Sequence, residues 1–289
     1  MYSWGWFIII YLFLGGLGAG AYLTSFAAEK GWFGKDSNLK RVGYLLAGPS
    51  ALIGSLLLFL DLGVAFTEPL AVLRMFANVT SVMTWGIYVL TLFIIVGFIS
   101  AFYAMKNSKV PALLSTLGAV LALATGTYTG VLLSVVGAVP FWNTFLLPVL
   151  FVVSALSTGL AATSLFAHFS ERPLSEDGSK LNHTHLALVI LEFILIFILL
   201  AVTISGSKGI AAARSAQIIT VGSLAVPFWL LLVGVGLIAP FIYYFSQNKG
   251  SNKGQANKGT AMLSELAVLV GGITLRAVVV LSVVRIWHA

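Results

Sequence analysis

The chain has 289 residues, of which 59% are hydrophobic and 9% charged, and a mean hydropathy of +1.03. That is too apolar for an ordinary water-soluble domain, whose apolar fraction is nearer ~45–50%. The net charge of +7 comes from basic residues in short segments between apolar runs, which bears on membrane topology and not on nucleic acid. Without cysteine, the chain can supply no Cys-ligated iron–sulfur cluster, thiolate zinc site or disulfide.

Segments long enough to cross a bilayer, ~20 mostly apolar residues each, are expected over 3–28, 42–66, 81–105, 111–137, 143–168, 184–206, 221–246 and 262–287. The runs are continuous, not alternating, which excludes a barrel strand pattern. The expected fold is all-α, a single membrane domain over 1–289 arranged as two four-helix bundles. Met1 to Trp6 carries no basic side chain and the positive charges follow the apolar run, the reverse of a secretory signal. The loops alternate in charge. One set holds Lys30, Lys35, Lys40, Arg41, Lys106, Lys109, Arg172, Lys180, Lys249, Lys253 and Lys258; the other holds Arg74, Lys208, Arg214 and Arg285. The richer set is expected in the cytoplasm, which puts both termini and the loops at 67–80, 138–143 and 207–220 outside. The polar, Gly-rich stretch 246–260 reads as a flexible cytoplasmic linker.

In the first span, Gly15-Gly16-Leu17-Gly18-Ala19-Gly20 imitates a dinucleotide fingerprint but lacks the βαβ context that motif needs. Gly16 and Gly20 suit a small-xxx-small packing face; the same missing side chains would also leave room for a flat ring. Gly16-Leu17-Gly18-Ala19 echoes Gly159-Leu160-Ala161-Ala162 in the fifth span, so a parallel four-plus-four repeat is conceivable. The second span carries Asp61, about 7 Å inside its expected outer boundary. It is either an interfacial acid reaching water or a carboxylate that exchanges protons with a redox-active ligand. In the next loop Arg74 either neutralises Glu68 or meets lipid headgroups, or else pairs with Asp61 or orients an anionic intermediate.

The fourth span holds Thr125-Gly126-Thr127-Tyr128-Thr129-Gly130. The threonines can bond back to their own helix, whereas a buried Tyr128 phenol needs a partner and suits a hydrogen bond to a quinone carbonyl. Pro140-Phe141-Trp142-Asn143 follows, and Pro148 marks a break in the fifth span of the kind tolerated beside a cavity. Glu192 and Arg276 fall near the middle of the sixth and eighth spans. They form either a buried ion pair or a relay for protons, each needing a partner. Glu265, near the inner boundary, is expected to reach the headgroups. His168, His183, His185 and His288 lie at span ends, which disfavours haem ligation.

Together these stretches resemble the NrfD/PsrC family, the membrane subunits of polysulfide reductase-type complexes. The matching pieces are Gly15 to Gly20, Asp61-Leu62-Gly63, Pro69 with Arg74, Thr84-Trp85-Gly86, Tyr128-Thr129-Gly130 through Pro140 and Trp142, Glu192, and Gly271-Gly272 with Arg276. The resemblance implies an inner-membrane subunit of bacteria or archaea that binds an exchangeable menaquinone or ubiquinone but no haem or iron–sulfur cluster. It also implies a ferredoxin-like iron–sulfur subunit at the outer face, with a molybdopterin or other catalytic subunit beyond it. Tyr128 would border the quinone, near the glycines of the first span and Trp142. Asp61 with Arg74 would handle protons there, and Asp61, Glu192 and Arg276 would carry a proton path. A secondary transporter or a proton conductor without redox function is the rival class.

Overall fold

A computed structural model describes residues 5–34, 37–61, 81–169, 178–249 and 258–284. Among these residues every regular element is a helix: α1 (Trp6–Glu29), α2 (Leu39–Asp61), α3 (Val82–Met105), α4 (Ala112–Ser134), α5 (Leu146–Ala167), α6 (Gly178–Ile204), α7 (Ile210–Thr220), a π-helical segment (Pro227–Ile238) running into α8 (Ala239–Lys249), and α9 (Lys258–Leu281). Eight spans are long and apolar enough to cross a membrane, Pro227–Lys249 counting as one. Helices are the natural outcome, because lipid offers no partner for a backbone N–H or C=O and each helix satisfies its own. The protein is a polytopic, all-α membrane protein.

Side-chain hydroxyls follow the same rule. Thr24, Thr158, Thr163, Thr203 and Thr274 each donate to the carbonyl four residues back at 2.7–2.8 Å. At the start of α3, Ser81 caps the helix by accepting from the Met83 amide at 3.2 Å. Pro148 sits in the first turn of α5, not at a break. The first turn of a helix has no intrahelical partner for that N–H, so proline is tolerated there.

The helices close into two rings. In the first, α1 packs on α2, α2 on α3, α3 on α4, and α4 returns to α1. In the second, α5 packs on α6, α6 on α8, the π segment and α8 on α9, and α9 returns to α5. Contact between α1 and α5 joins the rings. The approach is close because it is made at glycine: a Cβ on Gly20 would overlap the Ala155 carbonyl, and one on Gly159 would overlap the Gly20 backbone. Such small-residue crossings supply the packing that the hydrophobic effect cannot drive inside lipid. Gly236 of the π segment and Gly271 of α9 make a similar crossing in the second ring.

One end of the assembly, here the basic face, carries Lys30, Lys40, Arg41, Lys106, Lys109, Lys180, Lys249 and Lys258; the other, the terminal face, carries the start of α1 and the end of α9. Within the first ring, the basic half is filled by Tyr22, Tyr44 and Phe93, with Tyr22 edge-on to the other two at 4.8 and 5.8 Å. Their hydroxyls are engaged: Tyr22 with Ser100 at 2.9 Å, and Tyr44 donating to Glu29 at 2.6 Å. At the terminal face, the segment after α6 that reads as a loop forms α7 over Ile210–Thr220. Its buried Ser215 accepts the Val284 amide at 3.2 Å.

Candidate functional site

The terminal half of the first ring contains the Thr/Gly run of α4. Thr125 and Thr127 donate to Leu121 and Leu123 at 2.8 Å, and Thr129 to Gly126 at 2.7 Å, so these hydroxyls are spent on their own helix. Tyr128 is half-buried, and its ring lies so close against α3 that a Cβ on Gly86 would overlap it. Tyr11 of α1 is within electrostatic reach of Tyr128. Tyr11 is fully buried, and its hydroxyl has no hydrogen-bond partner among the described residues. An orphaned buried hydroxyl costs about 1–3 kcal/mol, which a polar ligand group or water would relieve.

The glycines of α1 divide by what faces them. Gly18 and Gly20 are closed by backbone, of α2 and α5 respectively. Gly16 faces the Arg276 guanidinium, and a Cβ there would lie 3.1 Å from Nη2. Gly15 alone faces the Tyr128 region: its nearest neighbours would be Thr129 at 3.7 Å and Tyr11 at 3.8 Å, ordinary contact distances. Gly126 on α4 faces α5 and α1 instead, with Ala155 at 3.8 Å and Ala19 at 3.9 Å from a Cβ placed there. Asp61 is the last residue of α2 and is half-buried. Arg74 lies outside the described residues. Trp142 is fully buried and its indole N–H donates to the Val279 carbonyl of α9 at 2.8 Å, so this group is committed to joining the α4–α5 connection to the second ring.

Glu192 and Arg276 come together through α5. Arg276 is fully buried; its Nη1 donates to Ser154 Oγ at 2.5 Å and to the Gly272 carbonyl at 2.9 Å, and its guanidinium sits 5.4 Å over the Phe151 ring. The Glu192 carboxylate lies beside Ser154 and Ser157 and within electrostatic range of Arg276. Ser154 is thus the bridge between carboxylate and guanidinium. Arg276 Nε and Nη2 remain without partners among the described residues.

A third polar group lies in the basic half of the second ring. His185 Nε2 is 3.5 Å from Glu265 Oε1 and 3.5 Å from Ser164 Oγ, and the imidazole stacks on Tyr244 at 4.5 Å with planes 10° apart. Glu265 does not reach the headgroups. It is 4% exposed, because α9 turns this face into the ring and not toward lipid.

The family model described as Polysulphide reductase, NrfD matches residues 1–286. The chain belongs to the NrfD family. It is 31% identical over 302 aligned positions to the C subunit of polysulfide reductase from Wolinella succinogenes, covering 94% of this chain and 92% of that protein. It is also 31% identical to protein NrfD of Escherichia coli, over 83% of each sequence, and 28% identical to the NrfD homolog of Haemophilus influenzae. In this NrfD-family protein the sequence leaves Tyr11, Ser154 and the His185–Glu265 contact unmarked. Tyr11 is one tyrosine inside an apolar run, and Ser154 is one serine among many. The register of His185, Val189, Glu192 and Ile196 on one buried face of α6 is the signal that could have paired His185 with the ring interior.

Proposed function

We propose that this chain is the quinone-linked membrane subunit of a respiratory oxidoreductase in a bacterial inner membrane. It would exchange electrons between the quinone pool and a peripheral iron–sulfur subunit docked at the terminal face, with a molybdopterin or other catalytic subunit beyond. The basic face would lie in the cytoplasm, as the excess of Lys and Arg there favours. Membership of the NrfD family and the likeness to a polysulfide reductase subunit support the redox reading over a transporter.

The observation that carries the site is the buried Tyr11 hydroxyl, which has no partner among the described residues and lies within electrostatic reach of Tyr128. These residues fit a flat, polar-edged ring with an apolar tail. A menaquinone or ubiquinone bound there would supply a carrier of two electrons and two protons. Tyr128, whose ring packs against Gly86, would donate a hydrogen bond to one head carbonyl. Tyr11 offers a second hydroxyl from the buried side. Asp61, at the end of α2, would handle protons at the terminal face, helped by Arg74. A half-buried carboxylate is the type of group general acid–base transfer uses.

Tyr128→Phe and Asp61→Asn test this in the assembled complex. Quinol-linked electron transfer is expected to fall in both, by about 10²-fold for the loss of a positioned acid–base group, while assembly is kept. Unchanged turnover in both variants would remove the site. Substrate uptake by the isolated subunit would favour the transporter reading instead.

A second reading concerns protons moved across the membrane. It is favoured by the Glu192–Ser154–Arg276 arrangement, because a charged pair kept in the apolar interior costs about 2.5–3.5 kcal/mol per charge on insertion scales. Groups so costly are kept where they handle ions or protons.

A further inference from the structure

The basic half of the second ring holds a polar cluster that the quinone reading does not use. Glu265 on α9, His185 on α6 and Tyr244 on α8 are each no more than 4% exposed. Beyond the His185 contact, Glu265 Oε2, Tyr244 Oη and Ser264 Oγ have no hydrogen-bond partner among the described residues. The Tyr244 hydroxyl nonetheless lies near both Ser264 and Glu265, so the three orphaned oxygens belong to one neighbourhood. An unsatisfied buried acceptor or donor costs about 1–3 kcal/mol. Small rotations would let the Tyr244 hydroxyl donate to Glu265 or accept from Ser264, so the cluster has a mobile hydrogen and more than one way to place it.

Charge arithmetic gives the cluster a preferred loading. With one proton shared between imidazole and carboxylate, the pair is electrically neutral, whichever group holds it. With two protons it carries +1, and with none −1, and either net charge is expensive in the membrane interior. Tyr243 and Tyr244 on α8 face Glu265, and Ser164 of α5 faces His185. The one-proton state is therefore the resting state, and adding or removing a proton is the event the site resists and registers.

The cluster also stands in register with the mid-membrane group. His185 and Glu192 are seven residues apart on the buried face of α6, and Ser164 and Ser157 are seven apart on α5, about 10 Å of rise in each case. Ser164 meets His185 on the lower rung, and Ser157 meets Glu192 on the upper one. Val189, Val268 and Ala161, all buried, occupy the intervening turns. At the basic edge, His168 caps α5, and burial together with the Lys258 ammonium holds its imidazole below its ordinary value, so it is a neutral acceptor near pH 7.

We propose that Glu265, His185 and Tyr244 form a proton-holding site in the basic half of the second ring, which takes its proton from the basic face and passes it to Glu192 across a dry layer of Val189 and Val268. Transfer across that layer needs water to enter it transiently, so the layer separates the two stations. The inference rests on the proton-moving part of the reading above and not on the quinone site.

The test is labelling by dicyclohexylcarbodiimide, an apolar reagent that adds to a protonated carboxyl, applied to the full complex and read by peptide mass spectrometry. Glu265 in the α9 peptide is expected to label, and the label to be lost in Glu265→Gln and kept in Glu265→Asp. Tyr128→Phe is expected to leave it unchanged, which separates this site from the quinone site. In proteoliposomes, Tyr244→Phe, which keeps the ring on His185, is expected to slow proton uptake at the basic face while uncoupled electron transfer persists. A Glu265 that never labels in the unaltered protein, or full proton coupling in both Glu265→Gln and Tyr244→Phe, would overturn the proposal.

Discussion

Arg276 has two guanidinium nitrogens, Nε and Nη2, buried with no partner among the described residues, while Nη1 makes two hydrogen bonds. That imbalance makes the residue sensitive to its surroundings. Removing the Glu192 carboxylate leaves the guanidinium without a counter-charge, and breaking one side of a buried charge pair costs about 3–5 kcal/mol. Glu192→Gln is therefore expected to lower the unfolding temperature in detergent. Combining it with Arg276→Met should recover most of the loss, because the stranded charge is gone. Additive losses in the double variant would mean that the two residues are not coupled through Ser154. The mid-span positions of Glu192 and Arg276 were legible in the sequence, and so was their need for partners. The identity of the bridge was not, since hydropathy cannot tell one serine of α5 from another. The same limit applies to Tyr11, whose burial depends on how α1 rotates against α4, and to Glu265, whose distance from the span end says nothing about which way the helix face turns.

At the scale of elements, helix position follows from apolar run length, and helix contact follows from where side chains are missing. The spans were readable because lipid forces each segment to satisfy its own backbone. The π-helical Pro227–Ile238 and the short α7 were not. The first has the same hydropathy as an α-helix, and the second is too short and too polar in mean composition to stand out from a loop. The glycines of α1 allow a graded prediction. Gly15→Ala has room and is expected to leave thermal stability nearly unchanged. Gly20→Ala drives a Cβ into the Ala155 carbonyl at the crossing of the two rings and is expected to cost about 1–3 kcal/mol, as overpacking does. Equal stability of the two variants, measured by thermal unfolding in the same detergent, would contradict the packing assigned to the α1–α5 contact.

For the whole molecule, the two rings divide the work. The first has its basic half closed by Tyr22, Tyr44 and Phe93, and its terminal half contains Tyr11, Tyr128 and Gly15. The second carries polar groups at two levels, His185 with Glu265 and Glu192 with Arg276. On the proposed reading the lipid-soluble carrier would bind in one ring while Glu192, Glu265 and Arg276 are buried in the other, the two joined near the α1–α5 crossing, where Gly16 meets Arg276. The most direct measurement is photolabelling of the complex with an azidoquinone, followed by peptide mapping. Label is expected on the α1 segment around Tyr11–Gly15 and the α4 segment around Gly126–Gly130, displaced by excess quinone. Displaceable label confined to α6, α8 or α9 would contradict a carrier site in the first ring.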